Sequence, residues 1–392
     1  MLSVPFGPLK LLIVAPTVDP EGQLSAGGAE RMARNLCLKL DQQRIQPLLA
    51  TYIDAGRVGE DLRNHGVKTF VTPKRGKICP GLIKGLRKII IEEEVDAVLS
   101  MYQGVNLFNL LATYRLKNVA RLIRIARVGI PWQLQATEGL ISHWGDVLIA
   151  NSQAGADAVR GAYTIPPSRY RVIPNGCDTT RFSYVPYDDR HRLRDALGLP
   201  PDAFIIYTPN RIHENKGQDL LAEALLRIPE QLQRYNIVWV NTGLVQHEET
   251  AERIEKVNKQ LPGRIRLLKP TDRPQDWMAA SDAVVIPSRT ESFPNTLLEA
   301  SSVGRPVVVT ACGAAVSVGN ELGAITVPPT TINGLVTGLA KLVALPEVQL
   351  AERGLIASRL VRERYSIESV AEKYAEVVTA AVRQRRGQLT AG

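Results

Sequence analysis

The chain is poor in cysteine: Cys37, Cys79, Cys177 and Cys312 are the only four in 392 residues, and no two stand at a metal-binding spacing. That argues against a disulfide framework and against a cysteine zinc site, and it fits a reduced, cytoplasmic compartment. Aromatic residues are equally scarce, at 5% of the chain. A surface that stacks bases interleaves aromatics with its cations, so the scarcity counts against a nucleic-acid binder. No apolar run approaches the ~20 residues that a membrane-spanning helix requires. The opening MLSVPFGPLKLLIVAP has neither a basic n-region nor a small-residue cleavage site, so it does not read as a signal sequence. An Asp-any-Asp triplet is missing too, and with it a ready pair of carboxylates for a divalent cation.

What is present is an ordinary globular balance, 45% hydrophobic and 22% charged, in a chain too long for one core and suited to two domains. The net charge of +9 is unevenly spread. No acid falls between Asp61 and Glu92, where Lys68, Lys74, Arg75, Lys77, Lys84, Arg87 and Lys88 accumulate. The pattern repeats between Asp96 and Glu138 with Arg115, Lys117, Arg121, Arg124 and Arg127. The first half therefore carries a positive field suited to an anionic lipid surface, a phosphate-linked acceptor or nucleic acid; the alternative is a plain solvated basic face. The run from Pro80 to Glu94 has an apolar and a basic side. It suits either a membrane surface or, more simply, burial of its apolar side on a sheet.

Short apolar runs alternate with helical segments throughout. LKLLIVAP (9–16), IQPLLATYI, VKTFVTP, DAVLSMY, RLIRIARVG, DVLIANS and YRVIPNG read as strands, with helices between them near 29–40, 58–65, 80–94 and 106–117. This rhythm predicts a mostly parallel, doubly wound α/β sheet. Residues 182–202, with Pro186, Pro200, Pro201 and many charges, have the composition of a linker. A second βα series begins at AFIIYTPNR. The reading is thus a first domain over 1–181, a linker over 182–202 and a second domain over 203–367. A closing helix of about 368–386 returns to the first domain, its basic end (Arg383, Arg385, Arg386) read as a frayed tail.

The stretch PSRTESFPNTLLEASSVGRPVVV, Pro287 to Val309, carries the chemistry. A buried strand enters a short loop, and a helix of about 295–303 follows, which is where an open α/β sheet gathers ligands. Glu291 lies in the loop. Glu299 follows about two helical turns later, at ~3.6 residues per turn, within an otherwise apolar or small-residue helix, so a carboxylate there should be aimed at something. Alone, both could be solvated acids. Together with Gly304, Arg305 and Pro306 leading into the next strand, they resemble the signature of family-4 retaining glycosyltransferases, which have the GT-B fold of two Rossmann-like domains facing across a cleft. The resemblance implies that Glu291 bonds hydroxyls of the donor sugar and that Glu299 holds the ribose diol of the nucleotide. It also implies that the backbone N–H groups from Phe293 through Pro294 and Asn295 to Thr296 face the diphosphate, although Pro294 itself has none to offer.

Other segments extend the resemblance over nearly the whole chain. GGAERMARNL looks like the family's opening loop, with Gly27 and Gly28 letting backbone approach the diphosphate at a helix start. Glu30 there suits the positive helix end. TPNRIHENKG resembles the Gly-Arg to Lys-Gly segment, with Arg211 and Lys216 matching and Asn210 where glycine is usual. These two cations would support charge growing on the departing diphosphate. Arg127 stands nearest to the basic residue that many members place beside the acceptor, whereas His143 reads as structural. Ser152 would cap its helix. Beyond Val309 only Gly313 of a Gly-Gly pair is kept, Ala314 taking the second place. The implied activity is retaining, metal-independent hexosyl transfer from a nucleotide sugar to a glycan or lipid-linked acceptor, without a further cofactor, in cell-envelope polysaccharide synthesis, at the inner face of the plasma membrane or in the cytoplasm. Two rivals are a sugar-nucleotide epimerase of the same fold and a non-catalytic binder of anionic membrane or RNA.

Overall fold

The structure, a computed structural model, describes residues 7–16, 28–53, 55–74, 76, 79–125, 139, 141–163, 165–233 and 235–390. Gly27 and Arg127 lie outside the described residues. The chain divides into two compact units, Met1–Gly176 with Ile367–Gly392, and Cys177–Ser366.

In the first unit seven strands form one parallel sheet: β1 (Leu9–Ala15), β2 (Ile45–Thr51), β3 (Thr69–Val71), β4 (Ala97–Ser100), β5 (Ala120–Ile125), β6 (Val147–Ala150) and β7 (Tyr170–Val172). Their order is β3-β2-β1-β4-β5-β6-β7. Strands buried on both faces read as continuous apolar runs, which is why LKLLIVA and the buried AVLS were legible as strands. The helix Pro80–Glu92 packs Leu82, Leu86, Ile89 and Ile90 against β1, β2 and β4 side chains. Its apolar side is thus core, with only Ile91 among the large aliphatics left exposed. Ser152 caps the helix Gln153–Tyr163 by accepting from the Gly155 N–H at 3.1 Å. On the other sheet face, the helix Ile367–Thr390 buries Ile367, Val370, Tyr374, Val378 and Val382 beside Leu36 and Ile13. Its basic end is not frayed: Arg385 pairs with Asp146 at 2.9 Å and Arg386 with Asp96. The run before it is broken, since Glu347–Leu360 passes into a π-turn at Val361–Tyr365.

The second unit holds a six-stranded parallel sheet: β8 (Phe204–Thr208), β9 (Ile237–Thr242), β10 (Ile265–Leu268), β11 (Ala283–Ile286), β12 (Val307–Thr310) and β13 (Ile325–Val327), ordered β10-β9-β8-β11-β12-β13. The stretch 182–202, expected as a linker, is part of this unit and carries the helix Arg190–Ala196. Two of its charges are not solvated, although Asp188, Arg192, Asp195 and Asp202 are exposed. Arg190 and Arg194 are both buried and bracket the equally buried Asp282 at 2.7 and 2.6 Å, and Asp282 also accepts the backbone N–H of Ile205 at 2.6 Å. The segment is therefore bolted to the starts of β8 and β11. Composition misled because an arginine held by a buried acid looks, in sequence, like one in water.

Removing one partner of a buried ion cluster strands the rest in low dielectric, at a cost of about 3–5 kcal/mol. Asp282→Ala is expected to destabilise the protein by about that much, read as a fall in the denaturation midpoint. A midpoint unchanged from wild type would show that the cluster contributes nothing.

Candidate functional site

In both sheets the strand order reverses direction beside the first strand of the series, between β1 and β4 and between β8 and β11. Loops leaving neighbouring strands at such a point diverge and open a crevice at the carboxyl ends of the strands. In the second unit those two loops are 209–217 after β8, which carries Arg211 and Lys216, and 287–294 after β11, which carries Glu291.

The two loops are tied together. Arg289 donates its backbone N–H to the Asn215 carbonyl at 2.9 Å. Its guanidinium makes two bonds to the Asp219 carboxylate, both 2.7 Å, and a third to the Glu214 carbonyl at 2.6 Å. Burial alone would raise the Asp219 carboxyl, but the hydrogen bonds and charge of Arg289 outweigh it and hold the group below its ordinary value of 3.8. Two glycines let the backbones close up. Gly217 has φ +67°, and a Cβ there would sit 2.0 Å from the Pro287 carbonyl oxygen; at Gly313, φ +55°, it would sit 1.8 Å from that of Glu291. Side chains are excluded at both points.

The clamp brings Lys216 and Glu291 into contact, Nζ to Oε2 at 2.6 Å, each side chain 20% exposed. Ser288 Oγ lies 3.5 Å from the same carboxylate oxygen. Cys312 borders the pair: burial above all pushes its thiol up, and the Glu291 charge adds to that while Lys216 opposes it. Glu299 follows on the helix Asn295–Val303, 9% exposed in a row of buried neighbours. Its charge acts on Tyr207, whose phenol is pushed up mainly by burial and further by Glu299. Tyr207 reaches Thr242, at the end of β9, with 2.5 Å between the oxygens. The helix itself begins at Asn295 after Pro294, with no side-chain cap, and Phe293 is buried in the core below it. Thr296 lies in its first turn, where N–H groups point outward along the axis.

Arg211 is placed differently. Its carbonyl accepts from Gln218 at 2.8 Å, and its backbone N–H sits against Gly243, but its side chain is exposed and no ion pair to it occurs among the described residues. In the first unit, Gly28 opens the helix Gly28–Lys39, and Glu30 lies in its first turn with its carboxyl raised by burial. His143 is exposed, its Nδ1 2.8 Å from the Gly139 carbonyl. No cluster of three metal-binding side chains occurs among the described residues, and no single helix among them is long and apolar enough to cross a membrane. Sequence reading missed the Arg289–Asp219 clamp. The spacing of Arg289, two residues before Glu291, was the available signal.

The model of the group 1 glycosyl transferases matches residues 203–344, and that of glycosyltransferase family 4 matches residues 26–181. The chain belongs to glycosyltransferase family 4. A D-inositol 3-phosphate glycosyltransferase of Xylanimonas cellulosilytica is 35% identical over 176 residues, 43% of this family-4 chain and 41% of that relative, so the match spans less than half of the relative's length. Among solved structures, a glycosyltransferase from Rickettsia africae superposes with TM-score 0.83 at 19% identity, covering 96% of this chain and 99% of that one. Anabaena HepE, solved in complex with UDP, gives 0.79 at 20% identity over 95% and 100%. These likenesses show the fold, which is GT-B.

The clamp has a definite acid response. A carboxyl titrating lower folded than unfolded stabilises the folded state fully above the ordinary value, here 3.8, and that contribution is lost as pH falls through the folded value. The gap in melting temperature between wild type and Asp219→Asn should therefore be wide at neutral pH and close in acid. A gap that persists undiminished down to about pH 2 would contradict the linkage. Gly313→Ala is expected to leave the circular dichroism spectrum intact while displacing Glu291, read as loss of nucleotide-sugar binding by calorimetry.

Proposed function

We propose that this family-4 chain is a retaining, metal-independent glycosyltransferase that moves a sugar from a nucleoside diphosphate donor to a hydroxyl of a glycan or lipid-linked acceptor. The observation that carries this reading is the contact between Lys216 and Glu291 at the strand-order reversal, with Glu299 on the helix that follows. An ammonium has three donors, and Glu291 uses one, which leaves two for the oxygens of a diphosphate. Glu291 in turn has acceptor positions left for sugar hydroxyls. The carboxylate thus fixes the cation and reads the sugar at once.

Arg211, exposed on the same loop, adds a second fixed cation for charge that develops as the glycosidic bond breaks. Two cations and the uncapped helix start at Asn295 and Thr296 give the electrostatic support that a divalent metal supplies elsewhere. Glu299, nearly buried, suits a ribose diol, which offers two parallel O–H donors. The UDP complex of the Anabaena neighbour supports a uridine donor. The name of the Xylanimonas relative brings a phosphorylated polyol alongside glycans as an acceptor to test. Transfer onto cell-envelope polysaccharide or a glycolipid, at the cytoplasmic face of the membrane, fits both the acceptor class and the basic first half.

Steady-state kinetics with UDP-sugars and a panel of glycan and polyol phosphate acceptors test the reading. Lys216→Ala is expected to lower kcat/KM by about 100- to 1,000-fold, the usual cost of one lost electrostatic donor. Glu291→Ala should act as severely, and Glu299→Ala should chiefly raise KM for the donor. Turnover within about twofold of wild type for Lys216→Ala would overturn the assignment, since that is well under 1 kcal/mol of barrier. Formation of an epimerised nucleotide sugar in the absence of acceptor would favour the epimerase instead.

A further inference from the structure

The basic run of the first half is not used by the site above. Three of its members, Arg115, Lys117 and Arg121, line a pocket of about 640 Å³ in the first unit, and Arg169 and Arg385 join them from far along the chain. The pocket lies at the amino ends of the strands. Arg121 is the second residue of β5, Asp146 immediately precedes β6 and Arg169 immediately precedes β7. In a parallel sheet this is the edge opposite to the loops that follow the strands, where Gly28 lies. Its volume falls within the range of small-molecule sites.

Five cations line this pocket with Asp146 as the one acid among its lining residues. Asp146 has no capacity to neutralise them all: one oxygen takes Arg385 at 2.9 Å and the other takes the Arg121 backbone N–H at 2.8 Å. Arg121 and Arg169 are held in place by the fold. Arg121 donates to Thr113 Oγ1 at 3.1 Å and to the Thr113 carbonyl at 3.0 Å, and Arg169 donates to the Ser142 and His143 carbonyls, each at 3.0 Å. Arg385 Nε is buried and has no hydrogen-bond partner among the described residues. Burial, and next to it the charge of Arg385, pushes the Arg121 guanidinium down, so the two cations are close enough to repel. Arg115 sits at φ +62°, a backbone conformation that glycine adopts without strain and arginine does not. Exposed Tyr114 and Trp144 flank this charge.

We propose that this pocket is a second binding site, separate from the donor site, that takes the phosphate or diphosphate group of an anionic ligand, with Trp144 and Tyr114 covering the moiety that carries it. Fixed guanidinium groups that repel each other are relieved by a shared oxyanion, which arginine forks match with paired hydrogen bonds. The phosphate belongs either to a soluble metabolite or to a lipid headgroup, and the chemistry of recognition is the same.

The test uses the whole 392-residue chain carrying Lys216→Ala, so that binding at the donor site does not obscure the readout. Inorganic pyrophosphate is titrated by calorimetry, and sedimentation is measured with phosphatidylglycerol and with phosphatidylcholine vesicles. Arg115→Gln with Lys117→Gln, two exposed side chains without an ion pair among the described residues, is expected to weaken binding about tenfold or more. Arg385→Gln should do the same, with a melting curve recorded to confirm folding. Loss of pyrophosphate binding without vesicle sedimentation identifies a soluble ligand. Sedimentation with phosphatidylglycerol alone, lost in the same variants, identifies a lipid. Equal binding by all variants, or no binding of either probe by the unsubstituted pocket, overturns the proposal.

Discussion

The reversal of strand order between β8 and β11 is the constraint on which the candidate donor site rests. Adjacent parallel strands ordinarily send their loops the same way over the sheet, whereas here the loops part. A parted pair of loops is a crevice, but an unsupported one would also be mobile. The Arg289 hydrogen bonds to Asn215, Glu214 and Asp219 span the gap and remove that freedom. Lys216 and Glu291, one on each loop, then meet without either side chain having to search for the other. Ordering a lysine and a glutamate costs up to about 2 kcal/mol of rotamer entropy each, and the folded protein has already met much of that cost before any ligand arrives. Preorganisation of this kind is what makes fixed charges effective against a developing one.

The second unit uses cations in two ways. Arg190, Arg194 and Arg305 are buried and spend their donors inward, on Asp282 and on backbone carbonyls. Arg305 is so enclosed that burial pushes its guanidinium down to about 10, and it still lies over the Tyr187 ring. None of the three offers an accessible group to a ligand: all are buried, and Arg305 Nε, without a hydrogen-bond partner among the described residues, is enclosed with the rest. Arg211 and Lys216 are the reverse case, exposed or half-buried with donors in reserve. Arginine content alone does not separate the two classes. What separates them is whether buried acceptors, the Asp282 carboxylate or backbone carbonyls, enclose the guanidinium.

How much of this was legible in the sequence follows from the same distinction. Apolar runs that a parallel sheet buries on both faces announce themselves, so most strands and the helix Asn295–Val303 stood out, and the spacing of Glu291 to Glu299 was visible because it is local. The contact of Lys216 with Glu291 spans 75 residues and was reachable only through a resemblance. Asp219 and Arg289, 70 residues apart, had no such help. Residues 182–202 read as a linker because proline and charge are the usual marks of solvated chain, and the burial of Arg190 and Arg194 depends on Asp282, some ninety residues away. The last arginines read as a frayed end for the same reason, their acids Asp146 and Asp96 lying far back in the chain.

The basic first half shows the limit of reading charge in one dimension. A run of arginines and lysines suggests a continuous positive face, yet the fold distributes it. Arg124 is buried and donates to Asn175, just before the chain leaves the first unit at Gly176. Arg87 turns to the Ala112 and Tyr114 carbonyls. Lys68 meets Glu93. Arg115, Lys117 and Arg121 do gather in one hollow, and they do so with Arg169 and Arg385, which the run does not contain. Net charge sets the sign of the field around the protein, but a binding site needs fixed cations that the protein leaves uncompensated. Among the described residues that condition is met beside β8, where exposed Arg211 has no ion pair while Lys216 is matched by Glu291, and at the amino edge of the first sheet, where one acid faces five cations.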